Sequence, residues 1–365
     1  MKKVIILGCG GFVGSHLTDR MLASGEYHIE GWDISFDKIS QHLDNPNLSS
    51  HQRYIDRDST FEEIEPYVEG AHAVISLAAV CTPAQYVSSP VKTIRSNFID
   101  AYALIDLCAK HRSWLVHTST CEVYGRTLSS YVPTDNYDNP DLYEQREDET
   151  PLVVGPTKNH RWSYSTAKQL FERYIYAHNV ENGMPFTIIR PYNWFGARMD
   201  FIPGRDGEGV PRVLACFMTA LLDDQPLQLV DGGLAYRTIT YIDDAVDALM
   251  LMLENPKGSQ NQVFNVGNRG GEVTMKELAL MMRELAAEIT GKEKFRDHLI
   301  EEITGEKFYG EGYEDCDRRV PDVSKAESRL GWKAKTDLRE TLRITMTHYF
   351  EQYGREKGLH PSQAK

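Results

Sequence analysis

Short apolar runs recur along the chain, each closed by small or polar residues and followed by apolar positions at helical spacing. Residues 3–7, Lys-Val-Ile-Ile-Leu, are the first such run, and residues 12–23 read as the helix after it. Residues 27–33, 74–77, 114–118 and 186–190 repeat the pattern. Runs that stay apolar throughout, instead of alternating, belong to strands covered on both faces. Their alternation with helices predicts an α/β fold built on a doubly wound parallel sheet. Residues 126–160, rich in Asp, Glu, Pro, Asn and Tyr, break the rhythm, and so long a loop predicts an active-site lid. Beyond residue 193 Pro and Gly punctuate the chain. Helical patterns return at 274–290 and 336–353, which predicts a smaller C-terminal lobe.

Length narrows this picture. At 365 residues and 41.6 kDa the chain exceeds one compact core, in keeping with a large domain plus a lobe. A net charge of -13 with no basic cluster excludes a nucleic-acid or membrane-surface partner. The apolar run at 4–7 is too short for a signal-peptide core, and no 18-residue apolar stretch follows, so a cytoplasmic location is expected. The six cysteines, at 9, 81, 108, 121, 216 and 316, form no CxxC pair, so neither a metal site nor disulfides are expected.

Gly8-Cys9-Gly10-Gly11-Phe12-Val13-Gly14 falls directly between the first strand and the first helix. Glycines there allow a tight turn, close approach of a pyrophosphate to the backbone, and a helix N-terminus aimed at the anion. The spacing is GxxGxxG with the extra Gly10. Asp33, about 20 residues on, can accept from the adenosine ribose hydroxyls and would repel a 2′-phosphate, which favours NAD over NADP. Asp58 is a further candidate near the adenine. The expected architecture is thus a Rossmann-type NAD-binding domain, residues 1–192 plus 236–266, with a substrate-binding lobe, residues 193–235 plus 267–355.

Tyr164 and Lys168 form Tyr-x-x-x-Lys, a spacing that puts both on one helix face. An ammonium beside a phenol favours the phenolate, so the pair predicts a tyrosine base with its pKa drawn towards neutrality. Upstream, Ser119-Thr120-Cys121-Glu122-Val123-Tyr124-Gly125 reads as the edge of a strand. With Leu77-Ala78-Ala79 and Arg190-Pro191-Tyr192-Asn193, these motifs resemble the extended short-chain dehydrogenase/reductases, the sugar-nucleotide epimerases, dehydratases and decarboxylases. The resemblance runs to about residue 350.

That resemblance implies an NAD-dependent enzyme with a UDP-sugar substrate. It assigns Tyr164 as base, Thr120 as a substrate contact, and Lys168 to the nicotinamide ribose. Leu77, Ala78 and Ala79 would line the cofactor. Cys121-Glu122 stands where the sugar dehydratases carry Asp-Glu, which argues against dehydration, while the retained Glu122 implies a step after oxidation. The segment from Phe308 to Pro321 resembles enzymes that oxidatively decarboxylate UDP-glucuronate, the bacterial lipid A-modifying decarboxylase and the plant UDP-apiose/UDP-xylose synthases. Arg319 would meet the sugar carboxylate, and Arg318 is left to the surface. The stretches around Cys81, Asn97, Asp200 and Arg212 tilt towards the apiose/xylose synthases, in which Cys81 and Cys121 would serve ring contraction. Arg161, Asn193, Arg212, Arg237 and Tyr313 complete the implied substrate contacts. The family also implies a homodimer through helices near 92–112 and 163–181.

Overall fold

The computed structural model describes residues 1–55, 60–79, 81–131, 139–311 and 314–361. Asp58 and Tyr313 lie outside the described residues.

Seven parallel strands form the main sheet: β1 Lys2–Leu7, β2 Tyr27–Asp33, β3 Leu48–Gln52, β4 Ala73–Ser76, β5 Leu115–Thr118, β6 Phe186–Pro191 and β7 Gln262–Val266. Their order is β3-β2-β1-β4-β5-β6-β7. Successive side chains of β1 point to opposite faces. Val4 and Ile6 enter one apolar cluster with Leu17 and Met21 of α1 (Phe12–Ser24). Ile5 and Leu7 enter another, with α2 (Thr60–Val68), α3 (Ala103–His111) and α4 (Ser163–Asn182). Burial on both faces is why β1 and β4 read as short, nearly continuous apolar runs.

Two features differ from the sequence pattern. Leu48–Gln52 reads Leu-Ser-Ser-His-Gln, too polar to show as a strand, because as an edge strand it buries only Leu48 fully. Within 236–266 only β7 joins the main sheet, whereas Tyr236–Thr238 pairs antiparallel with Glu272–Thr274.

A separate core joins α5 (Val213–Asp223), α7 (Met275–Thr290) and α8 (Leu338–Tyr353), while α6 (Ile242–Glu254) packs on the main sheet. Both C-terminal helices start where their caps dictate. Thr274 and Glu277 form a reciprocal capping box, and Asp337 accepts from the Glu340 N–H. Near the end of the chain, Val320–Pro321 pairs with Glu144–Gln145, joining the 126–160 stretch to the C-terminal segment. Among the described residues no helix is long and apolar enough to cross a membrane.

Candidate active site

Chain order reverses between β1 and β4, where the crevice beyond the strand ends takes ligands in open α/β sheets. The glycine turn lies there, and the packing shows why it is glycine. A Cβ on Gly10 would stand 1.9 Å from the Ser35 carbonyl oxygen, and one on Gly14 would stand 2.0 Å from that of Gly8. Gly8 itself takes φ +93°, a conformation side chains rarely adopt. Gly11 caps α1 without a side-chain hydrogen bond, so the first-turn N–H groups are left for an anion. Asp33 at the end of β2 accepts from the Gly10 N–H at 2.8 Å and the Ile34 N–H at 2.7 Å. Burial pushes its carboxyl up, against these backbone donors. Leu77 and Ala78 both bond back to the Leu7 carbonyl, and Ala79 follows. These residues fit a dinucleotide: an uncapped helix start for the pyrophosphate and a fixed carboxylate for the ribose.

Tyr164 and Lys168 sit one turn apart on α4, both buried. The Tyr164 ring stacks on Tyr86 at 4.5 Å and 6°, and the Lys168 ammonium reaches the Thr118 carbonyl at 3.4 Å. The expectation that Lys168 brings the tyrosine towards neutrality is not met. Burial, together with Cys81 and Glu122, holds the Tyr164 phenol well above its ordinary range, and the Thr120 hydroxyl opposes this weakly. Burial also lowers Lys168, to about 8. In a dry site desolvation acts on both members and outweighs their spacing.

Beyond β5, Thr120 caps a tight turn over Cys121–Tyr124, its hydroxyl accepting from the Glu122 N–H at 3.1 Å. The turn aims Glu122 at two guanidinium groups. Arg161 Nη1 donates to Glu122 Oε2 at 2.5 Å, and Arg319 Nη1 lies 3.8 Å from Oε1. Burial would raise the Glu122 carboxyl, but Arg161 and Arg319 hold it below its ordinary value. Arg319 also approaches Cys121 Sγ at 4.0 Å. Burial raises that thiol, with Arg319 pulling the other way. Asp315 completes the cluster, accepting from Arg237 Nη2 at 2.5 Å and lying 3.6 Å from Arg319 Nη2.

A cavity of about 910 Å³ opens beside this cluster, lined by Cys81, Glu122, Arg161, Asn193, Arg212, Arg237, Asp315 and Arg319 among others. Tyr164, Thr120 and Cys121 are buried, Cys121 within 4.0 Å of Arg319 in that lining. Asn193 holds φ +36° with its amide on the Thr238 carbonyl, and Arg212 is anchored by Asp200. Arg318 is not simply a surface charge. It grips Glu272 through two hydrogen bonds and lies over the Tyr143 ring at 3.7 Å.

Sequence reasoning missed Asp315 and Tyr86. Asp315 lies four residues before Arg319 in a segment already singled out, so spacing was a usable signal. Tyr86 offered none.

The sheet order, the glycine turn and the Tyr164–Lys168 helix are those of an extended short-chain dehydrogenase/reductase, an NAD-using enzyme. Residues 4–267 match the NAD dependent epimerase/dehydratase family, and the chain belongs to that family. It is 46% identical to the UDP-D-apiose/UDP-D-xylose synthase of Oryza sativa subsp. japonica, over 96% of this chain and 89% of that one. UDP-D-apiose/UDP-D-xylose synthase 1 of Arabidopsis thaliana is 45% identical, covering 96% and 92%. Among solved structures, the PbgP3 protein of Burkholderia pseudomallei superimposes with a TM-score of 0.82 at 29% identity, covering 98% and 99%.

Proposed function

We propose that this enzyme oxidatively decarboxylates UDP-glucuronate through a 4-keto intermediate, giving UDP-apiose, UDP-xylose or both. The observation that carries the reading is Arg319. It is buried at the cavity wall beside Glu122 and Cys121, and its Nε has no hydrogen-bond partner among the described residues. A guanidinium in that position suits a sugar carboxylate. Identity to the rice and Arabidopsis synthases supports the same products.

Gly8, Gly10, Gly11, Phe12, Val13, Gly14, Asp33 and the 77–79 turn would hold NAD. When bound, it supplies reversible two-electron oxidation at the sugar C4. Tyr164 takes the C4 hydroxyl proton, with Thr120 bonding the same oxygen and Lys168 holding the ribose. The C4 ketone is β to the carboxylate, so breaking the C5–C6 bond releases CO2 and leaves the electron pair in an enolate that the carbonyl stabilises. Arg319 meets the carboxylate, and Glu122 and Cys121 handle the proton returned to carbon. Ring contraction then needs retro-aldol opening and aldol closure, for which Cys81 on the cavity wall and Cys121 near it are placed. The two electrons taken from C4 would return to the C4 ketone to give UDP-xylose, or to the aldehyde left by ring contraction to give UDP-apiose. Asn193, Arg212 and Arg237 would hold the nucleotide, and the 126–160 stretch would cover the sugar.

Incubation with NAD and UDP-glucuronate, with products identified by NMR and mass, tests this. Apiose, as its nucleotide or cyclic phosphate, is expected alongside UDP-xylose. UDP-xylose alone would remove ring contraction and the cysteine roles. No loss of CO2 would sink the substrate assignment.

A homodimer is the expected assembly. Leu170, Tyr176 and Val180 of α4 are exposed, a pattern that favours burial against a second copy. Sedimentation of the purified protein should give twice the chain mass, and a monomer at micromolar concentration would refute it. The six free cysteines suit a reducing compartment such as the cytoplasm.

A further inference from the structure

Glu314 does not line the cavity, yet its carboxylate is the meeting point of three side chains. Oε1 accepts from Arg126 Nη1 at 2.7 Å, while Oε2 accepts from Trp162 Nε1 at 2.7 Å and Asn159 Nδ2 at 3.1 Å. Arg126 stands at one end of the 126–160 stretch, and Asn159 and Trp162 stand at the other. Main chain is pressed against the same carboxylate. A Cβ on Gly155 would lie 2.2 Å from Glu314 Oε2 and 2.5 Å from Trp162 Nε1.

Sequence neighbours connect this knot to the chemistry. Trp162 follows Arg161, which pairs with Glu122. Glu314 precedes Asp315, which pairs with Arg237 and Arg319. We propose that Glu314 is a positioning residue: it clamps both ends of the 126–160 stretch to the C-terminal segment and thereby sets Arg161 and Asp315 around Glu122 and Arg319.

The chemistry of the position requires a carboxylate. All the side chains facing it are donors, and an ionised carboxylate is the acceptor-only group that satisfies them together. A glutamine would turn its NH2 towards either Arg126 or the Trp162–Asn159 pair, setting donor against donor. An aspartate is one methylene short of spanning both. Charge-assisted bonds at a partly exposed site add little stability, so the consequence of losing them falls on geometry. Small misplacement of a reacting constellation can cost about 100-fold in rate.

The kinetic arm of the test rests on the decarboxylase reading, and the second arm does not. Glu314→Gln is expected to lower kcat on UDP-glucuronate by about 10- to 100-fold with KM little changed and NAD content as in the parent enzyme. Hydrogen exchange is expected to quicken at 126–131 and 155–162 and to stay unchanged across the main sheet. Parent-like kcat, or exchange unchanged at those segments, would overturn the clamp. So would a joint loss of kcat, NAD content and sheet protection, which marks a general stability role. If Glu314→Gln does not fold, Trp162→Phe removes one donor and keeps the carboxylate, and the same two readouts should move the same way by less. If the parent enzyme leaves UDP-glucuronate untouched, the functional reading fails, and the exchange comparison alone decides the clamp.

Discussion

Tyr164→Phe is expected to lower turnover of UDP-glucuronate by roughly 10²–10⁴-fold while NAD stays bound. The substitution removes one oxygen and little else. Phenylalanine keeps the ring that stacks on Tyr86 at 4.5 Å, so α4 and Lys168 have no reason to move. Lost with the oxygen is the group proposed to take the C4 hydroxyl proton. Burial holds that phenol above its ordinary range here, so ionising it during catalysis draws on nearby positive charge, and Lys168 is the cation on the same helix face. Following products by NMR, with NAD content measured on the same sample, separates loss of the base from loss of the cofactor. Retained turnover would move the base to another residue.

The second large effect concerns the Arg161–Glu122 pair. Arg161→Met keeps a long side chain in the same space but leaves Glu122 with Arg319 at 3.8 Å as its remaining guanidinium. Removing one partner of a buried ion pair costs about 3–5 kcal/mol, because the other charge stays desolvated. The sign of the pH dependence follows from the depressed Glu122 carboxyl. In the parent enzyme its ionisation stabilises the fold above the ordinary carboxylate range. That contribution disappears as pH falls through the lower folded value. In the variant, burial acts with one guanidinium fewer against it and the carboxyl rises. The destabilisation is therefore greatest near neutral pH and shrinks in acid, where Glu122 is protonated in both proteins. Urea unfolding at several pH values measures this, and adding Glu122→Gln should return much of the loss. A small, pH-independent change would show that the pair is not electrostatically coupled.

The fold was legible where physics leaves a local trace. Four of the seven strands show as largely apolar runs because their side chains are buried on both faces. The glycine turn shows because backbone crowding leaves no room for a Cβ there, and Asp33 shows because a carboxylate at that spacing suits a ribose. Leu48–Gln52 was hidden because an edge strand with one buried side chain carries almost no apolar signal. The site divides in the same way. Thr120, Glu122, Tyr164, Lys168 and Arg319 stand in motifs. The work of Tyr86 and Glu314, by contrast, is set by partners tens to hundreds of residues away. The expectation for Tyr164 failed for a related reason: i, i+4 spacing reports a neighbour but not the loss of water around both groups.

The parallel pairing of Val320–Pro321 with Glu144–Gln145 also orders events in time. Six strands of the main sheet, the glycine turn and the Tyr164 helix all precede residue 200 in the chain, whereas Asp315 and Arg319 come off the ribosome more than a hundred residues later. The glycine turn and Tyr164 are therefore encoded early, whereas the charged cluster closes only when the last segment docks. Competence for chemistry thus becomes a report that synthesis has reached that segment. A chain truncated upstream of it lacks the arginine assigned to the sugar carboxylate.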